Sequence, residues 1–94
     1  MPATMHYKIK NSIASYNQLP LADHVRQSIH QLFKDYAFKG ISPENLYNFT
    51  IAEAEAALLE ETMAYARNNQ CEAAKTLGIN RGTFREKLKK YDLL

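Results

Sequence analysis

The sequence lacks the raw material of several protein classes. It holds no apolar run approaching the roughly 20 residues that cross a bilayer. Its single cysteine, Cys71, excludes an internal disulfide. His6, His24 and His30 lack metal-ligand spacing, and no second cysteine joins Cys71, so neither a metal nor any other cofactor is expected. Glu53, Glu55, Glu60 and Glu61 have no nucleophile or base near them in sequence. They read as helix surface or as salt bridges across a dimer, and no enzyme or small-molecule substrate is expected. The first residues, Met-Pro-Ala-Thr-Met-His-Tyr-Lys, lack the apolar core of a signal peptide. The expectation is a cytoplasmic protein without a membrane partner.

With 94 residues there is material for one domain. A domain of this size buries only about 60–65% of its unfolded surface, so a second copy is a useful source of further burial. The net charge is only +2, but it is unevenly placed. Residues 67–94 carry seven basic and three acidic side chains, whereas residues 1–66 carry five basic and seven acidic. Such asymmetry marks one end of a chain for a polyanion, or a solvated basic helix face.

Residues 1–19 show no helical period and read as a flexible N-terminal arm, with a weak strand signal at Ile9, Ile13 and Tyr16. From Pro20 the pattern turns helical. Leu21, Val25, Ile29, Leu32, Phe33 and Tyr36 line one face, and Gly40 ends the stretch, with 37–41 as the connection. Pro20 fits the first turn of this helix. Ser42-Pro43-Glu44 then reads as a helix start, with Ser42 as cap, Pro43 at the first position and Glu44 against the positive dipole end. Glycine and proline are few, three of each, and none lies between Pro43 and Gly78. One long helix over about 43–67 is therefore predicted. It carries a heptad-like seam of Phe49, Ala52, Ala56, Leu59, Met63 and Ala66, and a second apolar stripe of Tyr47, Ile51, Leu58 and Tyr65. A helix apolar on two sides must be buried on two sides. The chain's own domain covers one and a second subunit the other, which assigns Phe49, Ala52, Ala56, Leu59 and Met63 to a dimer interface. A monomer with both stripes inside is the alternative. Residues 20–67 thus read as dimerisation helices.

Asn68-Asn69 breaks the long helix, and either can cap the next. Residues 70–77 form a short helix with Ala73, Ala74 and Leu77 inward. Gly78-Ile79-Asn80 is a tight turn, and residues 81–91 form the last helix, with Phe84, Leu88 and Tyr91 inward. The fold class is all-α: a four-helix subunit with a C-terminal helix-turn-helix region, 68–94, whose motif spans about 70–89. The physical reasons are local. Two helices meeting steeply need a small residue at their approach, supplied by Ala74, and a turn residue at ease with positive φ, supplied by Gly78. The second helix buries one side and offers the other to a major groove. Asn80, Arg81, Thr83 and Arg85 lie at its N-terminal end, where such helices meet base edges, and Arg can reach a guanine in a bidentate way. Lys87, Lys89 and Lys90 can neutralise phosphates, as can Arg67 and Lys75. The backbone N–H groups of Asn69, Gln70 and Cys71 open a helix and form a phosphate seat. The bland alternative is a helical hairpin with a basic surface.

Asn69-Gln70, Ala73-Ala74, Gly78-Ile79-Asn80-Arg81-Gly82-Thr83 and Lys87-Leu88-Lys89-Lys90-Tyr91 together resemble the Fis (factor for inversion stimulation) family of nucleoid proteins. The likeness extends back through Ala52-Glu53, Glu55 and Leu58-Leu59 and, more weakly, to Pro20-Leu21. Similar modules end the NtrC-type enhancer-binding activators, whose large upstream domains have no counterpart in these residues. The resemblance implies an intertwined homodimer with two helix-turn-helix units that bends double-stranded DNA as a nucleoid-associated architectural protein and transcription regulator. It implies base contacts from Asn80 and Arg81. Thr83, Arg85, Lys87, Lys89, Lys90, Asn69 and Gln70 match residues near phosphates or groove edges.

The sequence departs from the best-known members in four places. Glu86 stands where they have lysine, Cys71 where they have threonine, and Ala57 where they have a proline that would kink the long helix. The first 19 residues do not match the family's recombinase-contacting arm. Two rival readings follow: a local promoter-specific regulator, and an interaction module whose arm and first helix dock a site-specific recombinase or RNA polymerase.

Overall fold

The protein is described by a computed structural model covering residues 20–94. The expected arm, 1–19, with its weak strand signal, lies outside the described residues. The described residues hold four helices: α1 Leu21–Lys39, α2 Leu46–Tyr65, α3 Gln70–Leu77 and α4 Arg81–Lys90. None of them is long and apolar enough to cross a membrane. The chain divides into two units, and the second, Asn45–Leu94, holds α2, α3 and α4.

Helix α1 begins one residue after Pro20, whose extended backbone caps it, and runs three residues into the stretch expected to connect it onward. Its apolar face is as the spacing predicts, but it buries no residue: Leu21, Val25 and Phe33 are exposed, and Ile29, Leu32 and Tyr36 are half-buried.

The start of α2 corrects the sequence reading. Ser42-Pro43-Glu44 is not helical, and Ser42 caps nothing; the helix begins at Leu46. Asn45 stands immediately before it with φ 53° and ψ 28°, in the left-handed region, and its carbonyl accepts from the Phe49 N–H. A left-handed residue cannot belong to a right-handed helix, and asparagine is one of the few residues that adopt that conformation at low cost. The capping preferences of Ser42 and Pro43 are each worth only about 1 kcal/mol, so this turn overrides them.

All four helices end in the same way. The N–H of the left-handed residue bonds three residues back, and the next N–H bonds five back, as in a Schellman motif. The pairs are Gly40 and Ile41, Arg67 and Asn68, Gly78 and Ile79, and Asp92 and Leu93. The left-handed positions have φ of 68°, 52°, 74° and 60° respectively. At Gly78 this conformation costs a glycine nothing, and the turn it makes sends Ile79 back onto the core.

That core draws on three helices. Leu59 of α2, Ala73 and Ala74 of α3, and Phe84 and Leu88 of α4 are buried together, with Met63, Ala66, Leu77, Ile79, Tyr91 and Leu93 packed around them. Ala74 is 3% exposed, so the short side chain expected at the approach of the two helices is there.

The same core covers part of the expected dimer seam. Leu59 is only 1% exposed and Met63 and Ala66 lean on the same cluster, so the C-terminal half of the seam is covered by the chain's own α3 and α4. Ala52 and Ala56 are half-buried, and of the five assigned residues only Phe49 is exposed. The helix turns its other stripe outward: Tyr47, Ile51, Leu58 and Tyr65 are all exposed. Both stripes are legible in the spacing, but periodicity shows that two faces are apolar without showing which of them α3 and α4 cover.

Candidate nucleic-acid interface

The polar side of the last two helices is built from their caps outward. Asn69 precedes α3, and its side-chain Oδ1 accepts from the Glu72 N–H at 3.1 Å. The Gln70 and Cys71 N–H groups open the helix beside this cap, where the dipole is positive. Gln70 is half-buried and Cys71 exposed. Asn80 caps α4 in the same manner, with Oδ1 accepting from Gly82 N–H at 2.7 Å and Thr83 N–H at 3.4 Å.

The Asn80 cap bears directly on its expected role as a base reader. A bidentate contact to adenine uses both ends of the carboxamide. Here the oxygen is committed to the helix, and the amide nitrogen is the end left to donate. Glycine at position 82 is part of the arrangement, because a Cβ there would stand 3.0 Å from the Asn80 Oδ1.

Beyond its cap, α4 is sharply two-sided. Phe84 and Leu88 are fully buried, whereas Arg81, Thr83, Arg85, Glu86, Lys89 and Lys90 are exposed. The cations near its C-terminus, Lys87, Lys89 and Lys90, also oppose the negative dipole end. Lys90 has a second neighbour, the Tyr91 ring, 5.2 Å from its ammonium. Glu86, the acidic departure, stands on this face with 78% of its side chain exposed, 4.0 Å from Lys89.

The structure brings together two expected site residues from different helices. Arg85 Nη1 donates to Gln70 Oε1 at 3.0 Å, so one guanidinium is held between the helix that opens the motif and the helix that follows its turn.

It separates another residue from the rest. Lys87 points away from the exposed cations and is half-buried, with its ammonium 2.7 Å from Glu55 Oε2 on α2. The other carboxylate oxygen of Glu55 accepts from the Tyr91 hydroxyl. Hydrogen bonds from Lys87 and Tyr91 hold the Glu55 carboxyl below its ordinary pKa of 4.5. The same bonds raise Lys87 and Tyr91 above their ordinary values. Lys87, expected as a phosphate ligand, joins α4 to α2 through this bond. Glu55, expected on a solvated surface or across a dimer, is its intramolecular partner. A preference for opposite charges four apart on one helix is visible in a sequence; a pair 32 residues apart on two helices is not.

The described residues hold no cluster of histidine, cysteine or acidic side chains able to bind a metal.

Comparison with known proteins agrees with this geometry. Residues 50–91 match the model of the bacterial regulatory protein, Fis family. The chain is 45% identical over 83 residues to the DNA-binding protein Fis of Pectobacterium carotovorum, covering 88% of this chain and 83% of that one. It is 43% identical over 83 residues to the DNA-binding protein Fis of Proteus mirabilis, with the same coverage. The DNA-binding protein Fis of Psychromonas ingrahamii is 47% identical over 76 residues, covering 81% of this chain and 75% of its own length. At this identity over most of its length, the chain belongs to the Fis family.

Proposed function

We propose that the chain binds double-stranded DNA as a homodimer, through α3 and α4, and that it bends the duplex as a nucleoid-associated architectural protein and transcription regulator. The observation that carries this reading is the two-sidedness of α4. Its apolar side is consumed by the core, and the opposite side presents Arg81, Thr83, Arg85, Lys89 and Lys90 behind a capped N-terminus. A helix with that division fits a major groove, and its first turn is the part that meets base edges. In this reading Arg81, exposed at the start of the helix, reaches a guanine, with Thr83 and the Asn80 amide beside it. Arg85, Lys89, Lys90 and the N–H groups of Gln70 and Cys71 serve the phosphates.

The homodimer is supported by the apolar surface that the described residues leave exposed. Val25 and Phe33 on α1, and Tyr47, Ile51, Leu58 and Tyr65 on α2, form faces too apolar to be ordinary helix surface. A two-fold dimer sets two recognition helices against one duplex. If they stand closer than a helical turn, about 34 Å, the DNA must curve to meet both. Such a protein works on the nucleoid, in the cytoplasm.

Fluorescence anisotropy on a random-sequence duplex and on a selected site tests the reading. Binding to both, weakening steeply as salt rises from about 50 to 200 mM, is expected. Arg81→Ala lowers affinity for the selected site by about 1–3 kcal/mol more than for random duplex. Equal loss on both duplexes removes Arg81 as a base reader; no salt-dependent binding by the wild type removes the function.

A further inference from the structure

The basic face of α4 and the pair formed by Glu55 and Lys87 have opposite characters. On the exposed face, Lys89 and Lys90 are free to meet a polyanion, and the nearest carboxylate, Glu86, is 4.0 Å from Lys89 in a pair that is more than half exposed on both sides. Such pairs are screened and exchange their partners readily. Lys87 is held at 2.7 Å, and its side chain and that of Glu55 are 33% and 25% exposed. Both carboxylate oxygens are used, one by the Lys87 ammonium and one by the Tyr91 hydroxyl. Lys87 and Tyr91 are four residues apart, so the carboxylate grips α4 along one full turn. Glu55 itself lies one turn before Leu59, at the edge of the core that fixes α2 against α3 and α4. The chain therefore presents to Lys87 what a phosphate would present: an anionic oxygen at hydrogen-bond distance, already in place.

We propose that Glu55 is a positioning residue that occupies the Lys87 ammonium in place of a DNA phosphate, so that Lys87 orients the recognition helix on α2 and takes no part in neutralising the duplex. This rests on the proposed DNA binding and adds a limit to it. The number of phosphates engaged is one fewer per subunit than the count of lysines on α4 implies, because Glu55 withholds one. Affinity for DNA of any sequence is correspondingly lower than the sequence could support, while the helix that reads bases is held at a fixed orientation.

The test is a salt titration on a random-sequence duplex, using the full-length chain and four variants, with log K plotted against log salt. Each phosphate neutralised contributes about 0.9 to the slope. Lys89→Gln is expected to reduce the slope by about that amount per subunit, and Lys87→Gln to leave it unchanged. Glu55→Gln keeps an oxygen for the Tyr91 hydroxyl but releases the ammonium, so the slope steepens by about 0.9 per subunit. Its affinity gain over wild type then shrinks about 3.5-fold per subunit for a fourfold rise in salt. The double variant Glu55→Gln with Lys87→Gln returns to the wild-type slope. If Glu55→Gln fails to fold by circular dichroism, Lys87→Gln against Lys89→Gln decides alone. A fall in slope with Lys87→Gln equal to that with Lys89→Gln overturns the proposal. So does an unchanged slope in a folded Glu55→Gln variant. Both leave duplex binding by the wild type intact, whereas a wild type that binds no duplex overturns the DNA-binding reading as well.

Discussion

Gln70 and Arg85 stand fifteen residues apart in sequence, and the guanidinium of one is hydrogen-bonded at 3.0 Å to the amide oxygen of the other. The bond joins the first residue of α3 to the middle of α4. It orients an arginine toward whatever the helix pair binds before binding occurs, which lowers the entropy lost on forming the complex. Gln70→Ala and Arg85→Ala should therefore not act independently on DNA affinity. A double-mutant cycle measured by anisotropy is expected to give a coupling of about 0.5–1 kcal/mol, because residues sharing a hydrogen bond lose additivity. Strict additivity would mean that the two side chains meet DNA separately.

Leu58 and Leu59 are adjacent and face opposite fates. Leu58 is 54% exposed, and Leu59 is 1% exposed against Phe84 and Leu88. Leu58→Glu should leave each subunit folded and weaken the dimer, read by sedimentation at micromolar concentration. Leu59→Glu should unfold residues 45–94, because burying an unpaired carboxylate costs several kcal/mol. A fully dimeric Leu58→Glu variant would move the dimer surface elsewhere, with α1 as the remaining exposed apolar face.

What the sequence made legible was local. Ala74 at the helix approach, Gly78 at a left-handed turn, and Phe84 with Leu88 on one helix face are patterns of spacing, and each lies where expected. The helix-turn-helix followed from them. Features that depend on what lies across the core were not legible. Leu59 and Leu58 differ in burial only because α3 and α4 cover one stripe of α2. Lys87 looks like its neighbours Lys89 and Lys90 until α2 brings Glu55 against it. The helix start before α2 failed for a different reason: a single residue, Asn45, took a left-handed conformation that no cap or proline signal encodes.

The Glu55 cluster has a pH signature. The folded pKa of Glu55 lies below its ordinary value of 4.5, through its bonds to Lys87 and then Tyr91. The folded state thus binds fewer protons there, and the resulting stability is present above 4.5 and is lost as pH falls through the folded value. Lys87 and Tyr91 are shifted up from 10.5 and 10.0, so their contribution is full below those values and disappears as pH rises through the folded ones. Denaturant midpoints recorded against pH should show a plateau between the two limbs. Glu55→Gln should flatten both limbs; if the acid limb is unchanged, the carboxylate is not responsible for it.

Two of the four left-handed helix ends carry glycine, and two do not. Arg67 has φ 52° and is followed by Asn68 at φ 64°, while Asp92 has φ 60°. Left-handed backbone costs a residue with a Cβ, such as arginine, about 1–2 kcal/mol, and glycine recovers this minus the greater entropy of its unfolded chain. Arg67→Gly is therefore expected to stabilise the fold by roughly 0.5–1 kcal/mol in thermal melts. Asp92→Gly should gain less, since aspartate tolerates the conformation better. A lowered melting temperature for Arg67→Gly would show that the side chain contributes more than its backbone loses.

Glu86 sits near the middle of the exposed side of α4, between Arg85 and Lys87 in sequence and 4.0 Å from the Lys89 ammonium. Two roles compete for it. A carboxylate can accept a bond from a cytosine amino group and so read a base. It can otherwise face phosphates and repel them, lowering affinity on every duplex. The structure favours repulsion, because Asn80 and Thr83 mark the first turn, where bases are met, while Glu86 shares its turn with the cations of the helix end. Glu86→Lys should raise affinity for random and selected duplexes alike. It should steepen the plot of log K against log salt by one contact's worth, about 0.9 per subunit. The base-reading role predicts something else: lost preference at one base pair, with the selected site weakened relative to its variants. Titrating wild type and Glu86→Lys on both duplexes at three salt concentrations separates the two. An unchanged slope with lost preference would assign Glu86 to base reading, and an equal gain on both duplexes assigns it to the control of overall affinity.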